Sequence, residues 1–244
     1  MENQQGTNET LLYAKGIVHD VNNLLMRAIG YAQSAINVMD ATGLDSKDLH
    51  KAMRATERAG GLVSQFPDFL EHVDQPRKNI AINGVVQEAL DMVAASLSSP
   101  VKTHAHLDSP NDIVYADENQ LFESLLNLLT NAVEAMKGKD GTLTIATREI
   151  PVELEGVEAM YLGLKPRDYI CIEITDTGCG ISPSLTERIF DPCYTSWEDR
   201  QGSGLGLYMA RKIVANHGGN IVVESKEGAG SSFYVYLPIA QAAA

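Results

Sequence analysis

The chain has 244 residues, 44% of them apolar, and sets 32 Asp and Glu against 19 Lys and Arg for a formal net charge of −13. That length suits two modest domains, and the composition supports buried cores while excluding a collagen, a disordered tract or a disulfide scaffold. A balance this acidic argues against nucleic acid as a partner, so phosphates would have to be met by local donors.

The N-terminus MENQQGTNET lacks the basic start and apolar stretch of a signal peptide, and no apolar run reaches the roughly 18 residues of a membrane span. Cys171, Cys179 and Cys193 are odd in number and without metal-ligand spacing, which suits thiols in a reducing cytoplasm. From Ile17 the apolar residues run Ile17, Val21, Leu24, Ala28, Tyr31, Ala35 and Val38. This heptad seam, widened by Leu25, Ile29, Ala32, Ile36 and Met39, predicts a helix with one broad core-facing side. Gly43 ends the pattern, Asp45 and Ser46 are set to cap a second helix, and Pro67 should kink it. Such a hairpin cannot bury both faces alone, so a homodimeric four-helix bundle is expected. With Ile17 at d and Val21 at a, His19 falls at f, the outward position. Asp20 beside it is suited to drawing a proton from one ring nitrogen, leaving the other nucleophilic. Asn23 lies one turn on, along the same face.

Residues 1–75 read as this hairpin and 76–244 as a second domain, with Gln75 to Asn79 as the linker. Helices are predicted over Val85–Leu97 (Asn83 a possible cap), Glu118–Met136 (capped by Asp117) and Gly204–His217. Strands are predicted over Val101–Leu107, Ile113–Ala116, Leu143–Arg148, Tyr169–Thr175, Asn220–Glu224 and Ser232–Leu237. The mixture suggests an α+β sandwich with helices layered on one sheet face. Within the leucine-rich helix, Glu123, Asn127, Asn131 and Glu134 form a polar stripe. Asparagine is a poor helix former, and two at i, i+4 call for a partner such as a cation or phosphate. A strand then feeds Asp176-Thr177-Gly178-Cys179-Gly180, where a carboxylate at a strand end can accept from an exocyclic amine and glycines let backbone approach a flat ring. Gly202-Ser203-Gly204-Leu205-Gly206-Leu207 opens a helix, whose free N–H groups suit phosphates. It is neither a dinucleotide fingerprint nor a Walker loop. The polar stretch from Cys193 to Gln201 reads as a lid.

Taken in order, these motifs resemble the catalytic core of two-component sensor histidine kinases over about residues 10–240. His19 to Leu25 is similar to the family's H-box, Leu126 to Ala132 to its N-box, Asp176 to Ile181 to G1, Ile189 to Pro192 to the F-box and Gly202 to Leu207 to G2. His217-Gly218-Gly219 and Gly228-x-Gly230-Ser231 also match. The resemblance implies a phosphotransfer hairpin and an ATP-binding domain of the gyrase, Hsp90, histidine kinase and MutL class. It implies His19 as phosphoacceptor, Asp20 as general base, and Asn23 in phosphoryl transfer or dephosphorylation. Asn131 would ligate Mg²⁺, Asn127 would line the phosphate site and Asp176 would recognise adenine. Gly178, Gly180, Gly202, Gly204, Leu205 and Gly206 would shape the pocket and lid. A response-regulator receiver aspartate would take the phosphoryl group, and input would come from a separate partner or from elsewhere in a larger protein.

The chain departs from the family at two places. Trp197 and Glu134 stand where many relatives carry lysine, so slow autophosphorylation is expected unless Arg200, Arg211 or Lys212 substitutes. A histidine phosphotransferase with a degenerate ATP domain is the alternative reading. A gyrase- or Hsp90-like ATPase is disfavoured because Asn127 replaces that class's catalytic glutamate.

Overall fold

The computed structural model describes residues 2–53, 56, 59, 76–96, 101–152, 162–192, 194 and 204–240, and omits the side chains of 2–20, 22 and 96. Pro67, Cys193, Trp197, Arg200 and Gly202 fall outside the described residues.

The N-terminal unit contains α1 (Glu2–Ala41), about 60 Å long at 1.5 Å per residue. Its end is a Schellman closure: Leu44 N–H reaches Met39 O at 2.9 Å and Gly43 N–H reaches Asp40 O at 3.3 Å. Residues 47–53 are helical again. Asp45 caps this second start by accepting from Lys47 N–H, whereas the Ser46 hydroxyl donates to the Asp40 carboxylate and ties the turn together. The broad apolar side expected for α1 divides in two. Ile36 is buried at 1% exposure and Leu25, Ile29, Ala32 and Met39 are half-buried. Leu24, Tyr31 and Val38, on the heptad seam itself, are 64%, 77% and 64% exposed.

The second unit, Pro76–Tyr194 with Gly206–Ala244, is an α+β sandwich. In chain order it holds β1 (Lys78–Ala81), α2 (Ile82–Ser96), β2 (Val101–His106), β3 (Ile113–Ala116) and α3 (Glu118–Ala135). These are followed by β4 (Gly141–Val152), β5 (Arg167–Asp176), a 3₁₀ turn (Arg188–Phe190), α4 (Gly206–Asn216), β6 (Asn220–Lys226) and β7 (Gly230–Pro238). The main sheet has the order β2-β4-β5-β7-β6, with β2 and β4 parallel and the other neighbours antiparallel. On β5 the period of two sends Ile170, Ile172 and Ile174 to the main core and Tyr169 and Cys171 to a smaller cluster with Leu164 and Tyr236. The main core is closed by Val85, Val86, Ala89 and Val93 of α2, by Leu121, Leu125, Leu128, Leu129 and Ala132 of α3, and by Ala210, Ile213 and Val214 of α4.

Two expectations are corrected here. Lys78 and Asn79 are strand rather than linker, pairing with Ala116 and Tyr115 of β3, because Ile80 and Ile82 next to them are buried and draw the segment onto the core. Asn83 does not cap α2, since it lies inside the first turn and donates its amide to the carbonyls of Leu107 and Ser109. The acceptor for its N–H is Asp112, 29 residues away, which local sequence does not reveal.

Candidate nucleotide site

Asp117 caps α3 by accepting from the N–H groups of Asn119 and Gln120. At the other end of the helix, Asn127 and Asn131 are half-buried among buried leucines. Asn131 Nδ2 donates to Asn127 O at 2.8 Å, which leaves its amide oxygen as the atom suited to a hard cation. α4 begins against the first of them: a Cβ on Gly206 would stand 3.1 Å from Asn127 Oδ1. The N–H groups of α4's first turn, which have no acceptor within the helix's own ladder, therefore open beside Asn127.

The loop after β5 grips the end of α3. Cys179 N–H donates to Ala135 O at 3.1 Å, and a Cβ on Gly178 would lie 2.7 Å from the Ala135 backbone. The β6–β7 turn braces the loop from the other side, with Gly228 N–H on Cys179 O at 2.6 Å and Ile181 N–H on Ser225 Oγ at 2.8 Å. Gly180 has φ +67° and packs so that a Cβ would overlap Lys226 O. Sequence reading missed Ser225, which carries no motif; its role follows only from the hairpin register that sets it opposite Ser231.

Asp176 is 3% exposed and has two backbone donors, Gly178 N–H at 2.7 Å and the N–H of Ser231. Burial raises its pKa above the usual carboxylate range and the two donors pull the other way. A carboxylate offers about four lone-pair sites, so acceptor capacity remains for a ligand N–H. Gly230 is the tightest support of this arrangement, because at φ +100° a Cβ would overlap Asp176 O. Gly230→Ala is expected to cost about 3 kcal/mol or more of unfolding free energy, measured by urea denaturation.

Phe190 lies edge-on to Phe233 at 6.5 Å between centroids and carries the Arg211 guanidinium 4.9 Å above its ring, while Arg188 stands 4.9 Å over Tyr194. Lys212 stands over Tyr208. Arg211 and Lys212 thus make ring contacts, and Arg211 fastens the 3₁₀ turn to α4. Lys137 forms an ion pair with Glu134 at 3.2 Å, so a cation is held at the side chain one turn beyond Asn131 although Lys137 itself lies past the helix end.

His217-Gly218-Gly219 closes α4 by the same device as α1: Gly219 N–H on Val214 O and Gly218 N–H on Ala215 O, with Gly218 at φ +76°. His217, 6% exposed, is fixed as the neutral Nδ1–H tautomer, since Nδ1 meets Ile213 O at 2.8 Å and Nε2 accepts from Asp117 N–H at 3.1 Å. Burial lowers its pKa from 6.5. The unfolded chain then binds this proton more readily than the folded one, so the stability it gives is present above pH 6.5 and is lost as pH falls below it. Urea titrations from pH 7.5 to 5.5 should show a slope of up to about 1.4 kcal/mol per pH unit from this group, absent in His217→Gln.

The helical backbone of α1 includes His19 and Asp20, whose side chains lie outside the described residues, and Asn23 is exposed on the same helix. Gly204 has φ +69° and, like Leu205, is half-buried just before α4. The profile of the histidine kinase-, DNA gyrase B- and HSP90-like ATPase family matches residues 116–241. The chain belongs to this family. Among similar proteins, the sensor kinase CckA of Brucella abortus (strain 2308) is 30% identical over 98% of this chain and 25% of its own length. The catalytic domain of histidine kinase ThkA is 25% identical, with a TM-score of 0.55 over 68% of this chain and 97% of that one. ThkA in complex with the response regulator protein TrrA matches at 21% identity and a TM-score of 0.58, covering 98% of this chain and 66% of that one. The chain spans a quarter to under half the length of the curated relatives it matches. Among the described residues no helix is long and apolar enough to cross a membrane.

Proposed function

We propose that this chain is the phosphotransfer and ATP-binding core of a protein-histidine kinase, with residues 1–75 as a dimerising hairpin and 76–244 as the catalytic domain. The observation that carries the reading is the meeting of three elements at one end of α3. Asn127, with Asn131 one turn on along the helix, lies beside the opening of α4, and the Asp176–Gly180 loop is clamped onto Ala135. Such a site offers amide oxygens and helix N–H groups to phosphates and a buried carboxylate to an adenine amine.

Asn131, with Asn127 beside it, would hold Mg²⁺. Among the described residues no three His, Cys, Asp or Glu side chains converge on a metal position. One amide oxygen completed by substrate phosphates and water fits this ion, which dehydrates reluctantly. When bound, Mg²⁺ neutralises phosphate charge. In the reaction, a ring nitrogen of His19 attacks the γ-phosphorus of ATP. The N–P bond forms as the bridging O–P bond breaks, ADP leaves, and Asp20 takes the ring proton. Asn23, on the same helical face, would orient the phosphoryl group or the water that removes it, and a receiver-domain aspartate would accept it. The ThkA–TrrA complex supports a response regulator as that partner.

The test is incubation with γ-labelled ATP and Mg²⁺. Acid-labile, base-stable label is expected, falling to background in His19→Gln, while the variant keeps its affinity for ATP. Absence of label would remove the kinase reading, and absence of ATP affinity in Mg²⁺ buffer as well would leave the histidine phosphotransferase with a degenerate ATP domain. Lys137 beside Glu134 makes a second expectation specific: Lys137→Ala should raise KM for ATP several-fold, and an unchanged KM would show that this cation does not serve the phosphates.

A further inference from the structure

At the start of α3, opposite the end that holds the nucleotide loop, lies a second cavity of about 220 Å³. The two ends of this 18-residue helix are about 27 Å apart. The cavity is lined by Arg77, Arg167 and His217 and by an apolar wall that includes Tyr115, Pro238 and Ile239. Among the described residues no carboxylate side chain lines it, in a chain with 32 acidic and 19 basic residues. Each arginine spends one hydrogen bond on a backbone carbonyl, Arg77 on Asn216 O at 2.9 Å and Arg167 on Ile239 O at 3.4 Å. A guanidinium has five N–H donors, so most of this capacity faces the cavity or water. His217 feels Arg77: after burial, which lowers its pKa most, Arg77 lowers it further, while the bond to Ile213 O and the Asp117 carboxylate raise it.

We infer that this cavity is a binding site for a small organic acid, its carboxylate held by Arg77 and Arg167 and its hydrocarbon body laid on Tyr115, Pro238 and Ile239. Two guanidiniums match a carboxylate because each presents a planar fork of donors, and such charge-assisted bonds are about twice as strong as neutral ones. The volume lies below the roughly 300 Å³ at which drug-sized ligands begin, and suits an acid of about ten heavy atoms. His217 forms part of the wall and holds Asp117 N–H, the N-cap of α3. Occupancy therefore bears on the helix that carries Asn127 and Asn131. The inference stands apart from the nucleotide reading, since none of these residues touches that site.

Benzoate serves as the probe and inorganic phosphate as the charge-only comparison. The whole chain is titrated with each while the His217 Cε1–H resonance is followed by NMR across pH. Benzoate is expected to saturate with a Kd of about 1 mM, a range that a few charge-assisted contacts in an open pocket support. It should raise the His217 pKa, because an anion now offsets Arg77, and phosphate should bind at least about tenfold more weakly, because it lacks the hydrocarbon body. Arg77→Gln/Arg167→Gln should lose benzoate binding at least tenfold (about 1.4 kcal/mol) with ATP affinity unchanged, which also shows the fold intact. Non-saturable shifts to about 50 mM, tens of times the expected Kd, or binding that survives the double substitution would overturn the inference. Phosphate binding as tightly as benzoate would overturn the organic-acid assignment.

Discussion

Asp176→Asn is expected to weaken ATP binding by about 10- to 150-fold while changing unfolding free energy by less than about 1 kcal/mol, the first from losing one charge-assisted hydrogen bond and the second from offsetting terms. The two effects separate because of where the carboxylate sits. Folding raises the pKa of Asp176 above 3.8, so stability from this group is present below that pH and is lost as pH rises through the raised value. At neutral pH the ionised carboxylate is thus a cost to the fold. Asparagine removes that cost and still gives the N–H of Gly178 an oxygen. It also sets an NH₂ group among backbone donors and, toward the ligand, a donor where adenine presents another donor. A purine with a carbonyl at that position meets the variant better, so discrimination between ATP and GTP should narrow. Fluorescence titration with both nucleotides, alongside urea denaturation at pH 7, reads the two quantities independently. A variant that loses affinity only in step with lost stability would place Asp176 in the fold rather than in the site.

The parts of this molecule that local chemistry determines were legible in the sequence. Asp117 caps its helix because its oxygen reaches N–H groups two and three residues on, and Gly218 ends α4 because the chain there must turn left-handed. The alternation of Ile170, Ile172 and Ile174 is that of a strand with a buried face. What escaped depends on distant partners. Asn83 reads as a cap until Asp112 supplies the acceptor from across the unit. Lys78 and Asn79 read as linker because their pairing with β3 is invisible until both ends of α2 are placed. His217 matched a family motif as a string, but its bond to Asp117 spans 100 residues and no periodicity points to it. Ser225 carried no signal at all, since a lone serine acquires meaning only when a turn folds it onto the Asp176 loop.

The divided face of α1 leads to the second large effect. Leu24, Tyr31 and Val38 recur every seven residues and are exposed in the single chain, whereas Ile36, on the neighbouring stripe, is buried. A seven-residue repeat on a 3.6-residue helix keeps to one side only if the helix supercoils about a partner. Ile36 on the adjacent stripe is already buried, so a second copy of the chain is the occupant that this exposed line fits. Burying each such side chain is worth about 1.5–3 kcal/mol, and two-fold symmetry counts every one twice, giving about 9–18 kcal/mol before the costs of association. Leu24→Glu/Tyr31→Glu/Val38→Glu is therefore expected to turn a dimer into a monomer at micromolar concentration, raising the dimer Kd by a factor of about 1000 or more, as six carboxylates would have to be desolvated. Sedimentation equilibrium measures the state directly. ATP affinity should be unchanged, because Asn127, Asn131 and Asp176 belong to the other unit, whereas labelling of His19 should fall wherever it requires the partner's ATP. A triple variant that remains dimeric would show that this seam is not the interface, and the exposed line on α1 would need a different occupant.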